Sequence, residues 1–329
     1  MKMNGTFCLR SLLWTVLPVL LASPSELFGS GEMHTQCSGF PDVDPFVLFV
    51  SLAVICFFIG LFASMGGVGG GVVFTPLFMG FTDMDSYVVR TTGLFIALCG
   101  ALVAAPAFLR RGIANFRLVL AAALPCAAFS MAGATLAAWI NRDMPEYGDS
   151  MIRAALGVIV IIIAALQYFA GAGKEYPRVE TCDRLSVAMG LFSSSYREES
   201  LGYVVRYRVR GTLPGLLMFC GVGFVAGLFG LGGGWAMVPV FNLVMLVPLK
   251  VAAACSTTVI TFSNTTAVWP YIFEGGMFPL FALPCMAGMI SGAMAGSQLM
   301  VKTRAVIVRR IVVVFLLVAG TRLIFRAFT

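Results

Sequence analysis

The sequence predicts an all-α polytopic membrane protein built from two inverted repeats of about five helical elements each, with short broken helices after glycine-rich breaks. Three observations carry that prediction. Hydrophobic residues make up 59% of the 329 and charged residues only 11%, with a mean hydropathy of +0.94, a balance that suits a bilayer rather than water. Apolar runs recur along most of the chain. Inside them a cluster of glycines followed by a proline occurs twice, as Gly67-Val-Gly-Gly-Gly71 to Pro76 and Gly230-Leu-Gly-Gly-Gly234 to Pro239, with both features 163 residues apart.

Lys2 and Arg10 precede a short apolar run from Leu12 to Ala22, and a polar stretch containing Pro and Gly runs from Ser23 to Pro45. That run is too short to span comfortably and reads as a signal peptide or signal anchor, so residues 1–44 comprise it and an external segment. Ten apolar elements follow, at about 46–65, 72–81, 87–109, 118–140, 154–172, 213–229, 235–247, 251–273, 277–301 and 305–325. Eight of them are long enough to cross a hydrocarbon core of ~30 Å at ~1.5 Å per residue. The second and seventh are not, and they directly follow the glycine clusters. They read as half helices, tolerated where protein or a wet cavity satisfies the freed backbone groups.

The duplication extends beyond the glycines. From Gly60 to Phe78 against Gly223 to Phe241, eight of nineteen positions are identical. Pro106 and Gly112 match Pro270 and Gly276 at an offset of 164, and Leu124-Pro-Cys126 with Gly133 matches Leu283-Pro-Cys285 with Gly292 at 159. The chain therefore divides into a transmembrane repeat at 45–172, a loop at 173–211 and a second repeat at 212–329. Arg110, Arg111 and Arg117 flank one loop and Lys302, Arg304, Arg309 and Arg310 another, which places both on the cytoplasmic side with the basic 173–211 loop. Arg110-Arg111 aligns with Glu274-Gly275, so equivalent loops carry different charge, as inversion requires. Arg322 and Arg326 run against the rule, since ten crossings leave the C-terminus outside.

Within the central loop Tyr203, Val205, Tyr207 and Val209 alternate with Arg206, Arg208 and Arg210. Period two predicts a short strand, as part of a hairpin at the membrane surface. A solvated basic linker that merely satisfies the topology rule is the plainer reading.

Composition and motifs exclude several function classes. The net charge of +7 lies between apolar segments rather than along one face, so the partners are the lipid bilayer and a small solute, with no nucleic acid. The nine cysteines show no CxxC pair and the single histidine, His34, precedes the first long apolar run, so neither a metal site nor a cofactor is implied. No Lys-Ser/Thr follows either glycine cluster, which argues against a phosphate loop. Enzyme motifs of the HExxH kind and nucleophile pairs are missing, so no catalytic residue is proposed.

A repeated helix breaker in apolar sequence points to a transporter whose site lies where the helices are interrupted. Gly69, Gly70 and Gly71, mirrored by Gly232, Gly233 and Gly234, allow backbone N–H groups to approach a ligand, and the half-helix N-termini that follow favour an anion. Close helix packing of the small-xxx-small kind is the alternative use of such glycines. The eighth element adds Ser256, Thr257, Thr261 and Asn264, with 257, 261 and 264 on one helical face, and the first half supplies Thr91 and Thr92. Hydroxyls of this kind also bond back to their own helix. No Asp or Glu lies mid-span, so a carboxylate proton relay is not evident.

The paired glycine-proline signature and the stretch Val247-Pro-Leu-Lys-Val-Ala-Ala-Ala-Cys-Ser256 resemble the sulfite exporter TauE/SafE family of membrane permeases, over about residues 46–329. Tyr196 to Gly211 is similar to a long-loop branch of it seen in bacteria. The resemblance implies a multi-pass protein of the bacterial inner membrane that moves a small sulfur-containing anion such as sulfite or a sulfonate. It implies a substrate path through Gly69 to Gly71, Gly232 to Gly234, Thr91-Thr92 and Ser256-Thr257. An anion channel, or a permease for a non-sulfur anion, would use the same features.

Overall fold

The computed structural model describes residues 45–82, 84–143, 145–169, 183–190, 194–197, 204–300 and, near the C-terminus, 313–314, 316–323 and 325. The expected N-terminal signal segment and the loop bearing Lys302 to Arg310 lie outside the described residues. The first half contains α1 (Pro45–Gly66), α2 (Gly71–Phe81), α3 (Ser86–Arg110), α4 (Phe116–Asp143) and α5 (Pro145–Phe169). A short α6 (Arg184–Ala188) and strands β1 (Ser194–Arg197) and β2 (Val204–Tyr207) come between the halves. The second half contains α7 (Thr212–Phe229), α8 (Gly234–Pro239) running into a π-helical turn (Val240–Val244), α9 (Leu249–Phe273) and α10 (Pro279–Leu299). Helical residues recur between 313 and 325.

Local chemistry sets the boundaries. The Asp85 carboxylate accepts a hydrogen bond from Tyr87 N at 2.8 Å and caps α3, while Asn115 Oδ1 accepts from Arg117 N at 3.1 Å and starts α4. Arg110 in the last turn of α3 complements the helix dipole. Five described helices are long and apolar enough to cross a membrane: α1, α3, α4, α7 and α10. The sequence count of eight is higher for identifiable reasons. Helix α9 has 25 residues, but its hydroxyls and Asn264 lower its hydropathy; the side chains of α5, and the last element, are described only in part along their length.

The halves pack by exchange. Helix α1 lies along α10 and α7 along α4, so the first element of each half pairs with the fourth of the other, and the two third elements, α3 and α9, pack together at the centre. Helix α8 meets α5, and α2 meets the C-terminal helical residues, where Arg322 Nε donates to Gly80 O at 3.2 Å. The seams are backbone to backbone. A Cβ at Gly288, Gly292 or Gly296 of α10 would collide with Ala53 O, Phe57 O or Leu61 O of α1, and one at Gly223 or Gly227 of α7 would collide with Cys126 O or Ser130 O of α4. Small-residue packing therefore accounts for these glycines. Large side chains face outward along the spans, among them Val50, Val54 and Phe58 of α1 and Leu120, Leu124 and Trp139 of α4, as lipid contact favours.

The described parts of the central segment, 183–190, 194–197 and 204–211, are docked on the helices rather than solvated throughout. Strands β1 and β2 pair antiparallel with Tyr196 opposite Val205 and Ser194 opposite Tyr207, which makes the expected strand one arm of a two-stranded ladder. Tyr196, Tyr207 and Val209 are buried in the main core cluster, and the alternation seen in the sequence is the face that packs. Arg210 N donates to Met245 O at 3.3 Å, and Ser186 Oγ and Thr212 Oγ1 share a buried hydrogen bond of 2.6 Å. Arg117 Nη1 donates to Gly190 O at 3.2 Å, so this segment and the α3–α4 loop occupy the same end of the molecule.

Gly292→Leu, which drives a side chain into Phe57 O, is expected to destabilise the fold by about 1–3 kcal/mol, seen as a lower melting temperature in detergent. Leu124→Ala, at a position 68% exposed on α4, is expected to leave melting unchanged. Equal melting of both variants and the wild type would contradict the α1–α10 seam.

Candidate functional site

The two glycine breaks are conformational copies. Gly67 and Gly230 have φ of +66° and +67°, and Gly69 and Gly232 have +82° and +71°, a region that side chains with a Cβ rarely enter. Val68 N donates to Ala63 O at 3.2 Å and Leu231 N to Ala226 O at 3.1 Å; Phe74 N then bonds Gly70 O at 3.0 Å, and Met237 N bonds Gly233 O at 3.3 Å. Each break thus closes one helix and restarts the next through the same pair of bonds. The carbonyls that open the breaks are also satisfied alike, Gly67 O by Ser256 Oγ at 2.7 Å and Gly230 O by Thr75 Oγ1 at 3.0 Å.

The copies touch each other. A Cβ at Gly71 would lie 2.8 Å from Leu231 O, and one at Gly234 would overlap Val68 O. Val68 and Leu231 are themselves 163 residues apart, so the contact is reciprocal. Gly71 also faces Gly93 O of α3, and Gly234 faces Ile260 of α9, which places the paired breaks between the two central helices.

A small pocket of about 20 Å³ opens beside the first break. Gly69, Gly70, Gly60, Gly100, Ser64 and Thr257 are in its lining, with Ile260 and Met289 closing it. Of the twelve residues selected from sequence, it brings together Gly69, Gly70 and Thr257. Gly71 and Gly234 instead form the contact between breaks. Gly232 faces the Asn264 amide, and Gly233 faces Met237 and Val222. Ser256 is engaged by Gly67 O.

Most of the polar run bonds back to its own helix. Thr257 Oγ1 donates to Ala253 O at 3.1 Å, Thr261 Oγ1 to Thr257 O at 3.3 Å, and Thr91 Oγ1 to Tyr87 O at 2.8 Å. Hydroxyls used this way present lone pairs, and they must rotate before donating to an anion. Thr92 Oγ1 and Asn264 Oδ1 differ, being buried without a hydrogen-bond partner, while Asn264 Nδ2 reaches Leu94 O at 3.5 Å. The repeat-related Cys126 and Cys285 are buried at helix contacts and lie outside the pocket lining.

One residue escaped the sequence reading. Arg90, in α3, is 1% exposed; its Nε donates to Ser86 O at 3.3 Å and its Nη1 to Leu228 O at 3.2 Å. The guanidinium lies 5.4 Å from the Tyr87 ring centre and 5.8 Å from that of Tyr271. The sequence does carry a signal for it, since an ionisable residue inside an apolar element is itself a site hypothesis.

Residues 52–323 match the model of the family described as Sulfite exporter TauE/SafE. The chain belongs to that family. It is 25% identical over 284 residues to the "Probable membrane transporter protein YunE" of Bacillus subtilis, covering 84% of this chain and 97% of that one. It is also similar, at 23% identity over 323 residues, to the "Probable membrane transporter protein MamO" of Magnetospirillum gryphiswaldense, covering 87% of this chain and about half (49%) of that longer protein. No solved structure matches. Family membership and the apolar helices make this chain a multi-pass membrane permease of the TauE/SafE family.

Gly70 and Gly233 are crowded only by the flexible ends of Met289 and Met237, whereas Gly71 and Gly234 are crowded by backbone. Alanine at 70 or 233 is therefore expected to give folded protein. Alanine at 71 or 234 is expected to cost about 1–3 kcal/mol or more and to lower the yield of monodisperse protein on size exclusion. Equal yields for all four would argue against the reciprocal contact.

Proposed function

We propose that this permease carries a small sulfur-containing anion, such as sulfite or a small sulfonate, across the cell membrane, along a path that runs through the paired glycine breaks. The observation that carries this reading is the pocket on Gly69, Gly70 and Thr257, set at a break that contacts its own copy. Inside the membrane such irregular backbone is tolerated where it is buried or lines a cavity, and a half-helix N-terminus offers amide N–H groups and a positive dipole end to an anion. The remaining predicted residues, Gly71, Thr91, Thr92, Gly232, Gly233, Gly234, Ser256, Thr261 and Asn264, flank this path, and those outside the pocket come into play as the halves rearrange. The sulfur chemistry rests on the family description.

The repeats at 45–172 and 212–329 are read as inverted, and the exchange of packing partners between them supports two equivalent units moving against each other. The bond from Arg117 to Gly190 supports one side for the 173–211 loop and the α3–α4 loop, and their basic residues favour the cytoplasmic side.

Proteoliposome flux of labelled sulfite, thiosulfate, sulfate and a small sulfonate, with and without a pH or sodium gradient, tests the proposal. Saturable flux of at least one anion is expected, falling about 10-fold or more in Gly70→Val and Gly233→Val while both proteins remain inserted. Thr257→Val is expected to change KM more than expression, since a lost polar contact to a charged ligand is worth ~1.5–3 kcal/mol. Wild-type flux in both valine variants would overturn the path; unsaturable flux with single-channel currents would replace the permease by a channel.

A further inference from the structure

The structure assigns Arg90, together with Tyr87 and Ser86, as an oxyanion-selecting site at the second glycine break, an inference that rests on the anion-permease reading. Arg90 is 1% exposed and Tyr87 3%, while Ser86 is fully buried. No carboxylate forms an ion pair with Arg90 among the described residues. The nearest acid on its own helix, Asp85, is occupied in capping Tyr87 N at 2.8 Å. A guanidinium has five N–H donors in a rigid fork. Ser86 O and Leu228 O each take one, and the Tyr271 hydroxyl faces the same group, so at least two remain. About one turn away on the same helix, Tyr87 Oη and Ser86 Oγ are buried with no hydrogen-bond partner. A buried charge with no ion pair among the described residues, and with unpaired hydroxyls about a turn away on its own helix, is costly unless a ligand completes it. An anion with two or three oxygens fits that set, because the fork suits bidentate contact and the hydroxyls supply the further donors.

A purely structural role is disfavoured by the repeat. A Cβ at Gly230 would lie 2.6 Å from Arg90 Cβ, and one at Gly67 would lie 2.6 Å from Ala253 Cα; residues 90 and 253 are also 163 apart. The first break therefore packs against alanine where the second packs against arginine, so the fold does not require a charge there. Nor does the end of α7 depend on Arg90 for capping, because Tyr271 Oη reaches Gly227 O at 2.8 Å and Leu228 O at 3.0 Å. The repeat equivalents of Tyr87 and Tyr271 are not aromatic, being Lys250 at the 163 offset and Ala107 at the 164 offset. The cluster belongs to one half only, as a selectivity element would. It is closed from solvent in this conformation, so anion entry accompanies opening at the α9–α10 turn, where Gly276 abuts Tyr87 and Thr91.

The test uses the full chain carrying Arg90→Gln, Arg90→Lys or Tyr87→Phe, with sulfite and methanesulfonate as probes. Two quantities are read: the concentration for half-maximal flux in proteoliposomes, and the rise in melting temperature that each anion produces in detergent. The site predicts a half-saturating concentration raised about 10-fold or more in Arg90→Gln and Tyr87→Phe, a smaller rise in Arg90→Lys, and loss of the anion-induced melting shift in Arg90→Gln. Should Arg90→Gln fail to insert, Arg90→Lys and Tyr87→Phe carry the test. Wild-type half-saturation and an intact anion shift in the inserted variants, with only baseline melting lowered, would overturn the site and leave the permease reading standing. Neither flux nor a melting shift in the wild-type protein would overturn both.

Discussion

The carbonyl oxygens of Val68 and Leu231 occupy the space where side chains of residues 234 and 71 would stand. That reciprocal contact fixes the rest of the molecule. The two chain segments approach so closely because Gly71 and Gly234, which meet those carbonyls, carry no Cβ. Once they meet, α3 and α9 must pass on either side, and Gly93 O and Ile260 take up the remaining contacts. The first helix of each half is then brought against the fourth of the other, where glycine stripes again let backbones meet. A membrane protein gains little from burying apolar surface against apolar lipid, so packing of this closeness supplies much of its cohesion.

The polar residues follow from the same geometry. Helices α3 and α9 each bury 16 residues, which lets α9 carry a run of hydroxyls that would be unfavourable facing lipid. Most of these hydroxyls are spent on carbonyls one turn back, and two more, Ser256 and Thr75, close the open carbonyls of the breaks. The buried groups left over fall mostly in the first half: Ser86, Tyr87, Thr92 and Ser130 have unpaired atoms there and Asn264 in the second half, and Arg90 has no acid partner among the described residues. Symmetric breaks thus hold an asymmetric chemistry.

Much of the fold was legible because hydropathy records what faces lipid. The predicted 46–65, 87–109 and 251–273 became Pro45–Gly66, Ser86–Arg110 and Leu249–Phe273. Helix α5 begins earlier than its apolar run because residues 145–153 include Glu146, Asp149 and Arg153, which a hydropathy reading discards; Arg153 Nη2 reaches Met84 O at 3.2 Å. The central strand was legible from its period, but not the cover over Tyr196 and Tyr207, since alternation identifies a face without naming what buries it. The site was less legible. Gly69 and Gly71 look alike in sequence, yet one lines a pocket and the other meets a carbonyl from the far half, a distinction made only by tertiary contact. Arg90 is a single letter in an apolar run, and that no acid among the described residues pairs with it is visible only in three dimensions.

Thiol labelling at position 257 tests the central claim most directly. With the native cysteines replaced, Thr257→Cys would be exposed in membranes to a membrane-impermeant thiol reagent, with and without sulfite and methanesulfonate. The account predicts labelling through water that enters beside Gly69 and Gly70, slowed by whichever anion the protein carries. A cysteine there that never reacts from either side of the membrane, in a protein that still transports, would contradict a path through the glycine breaks.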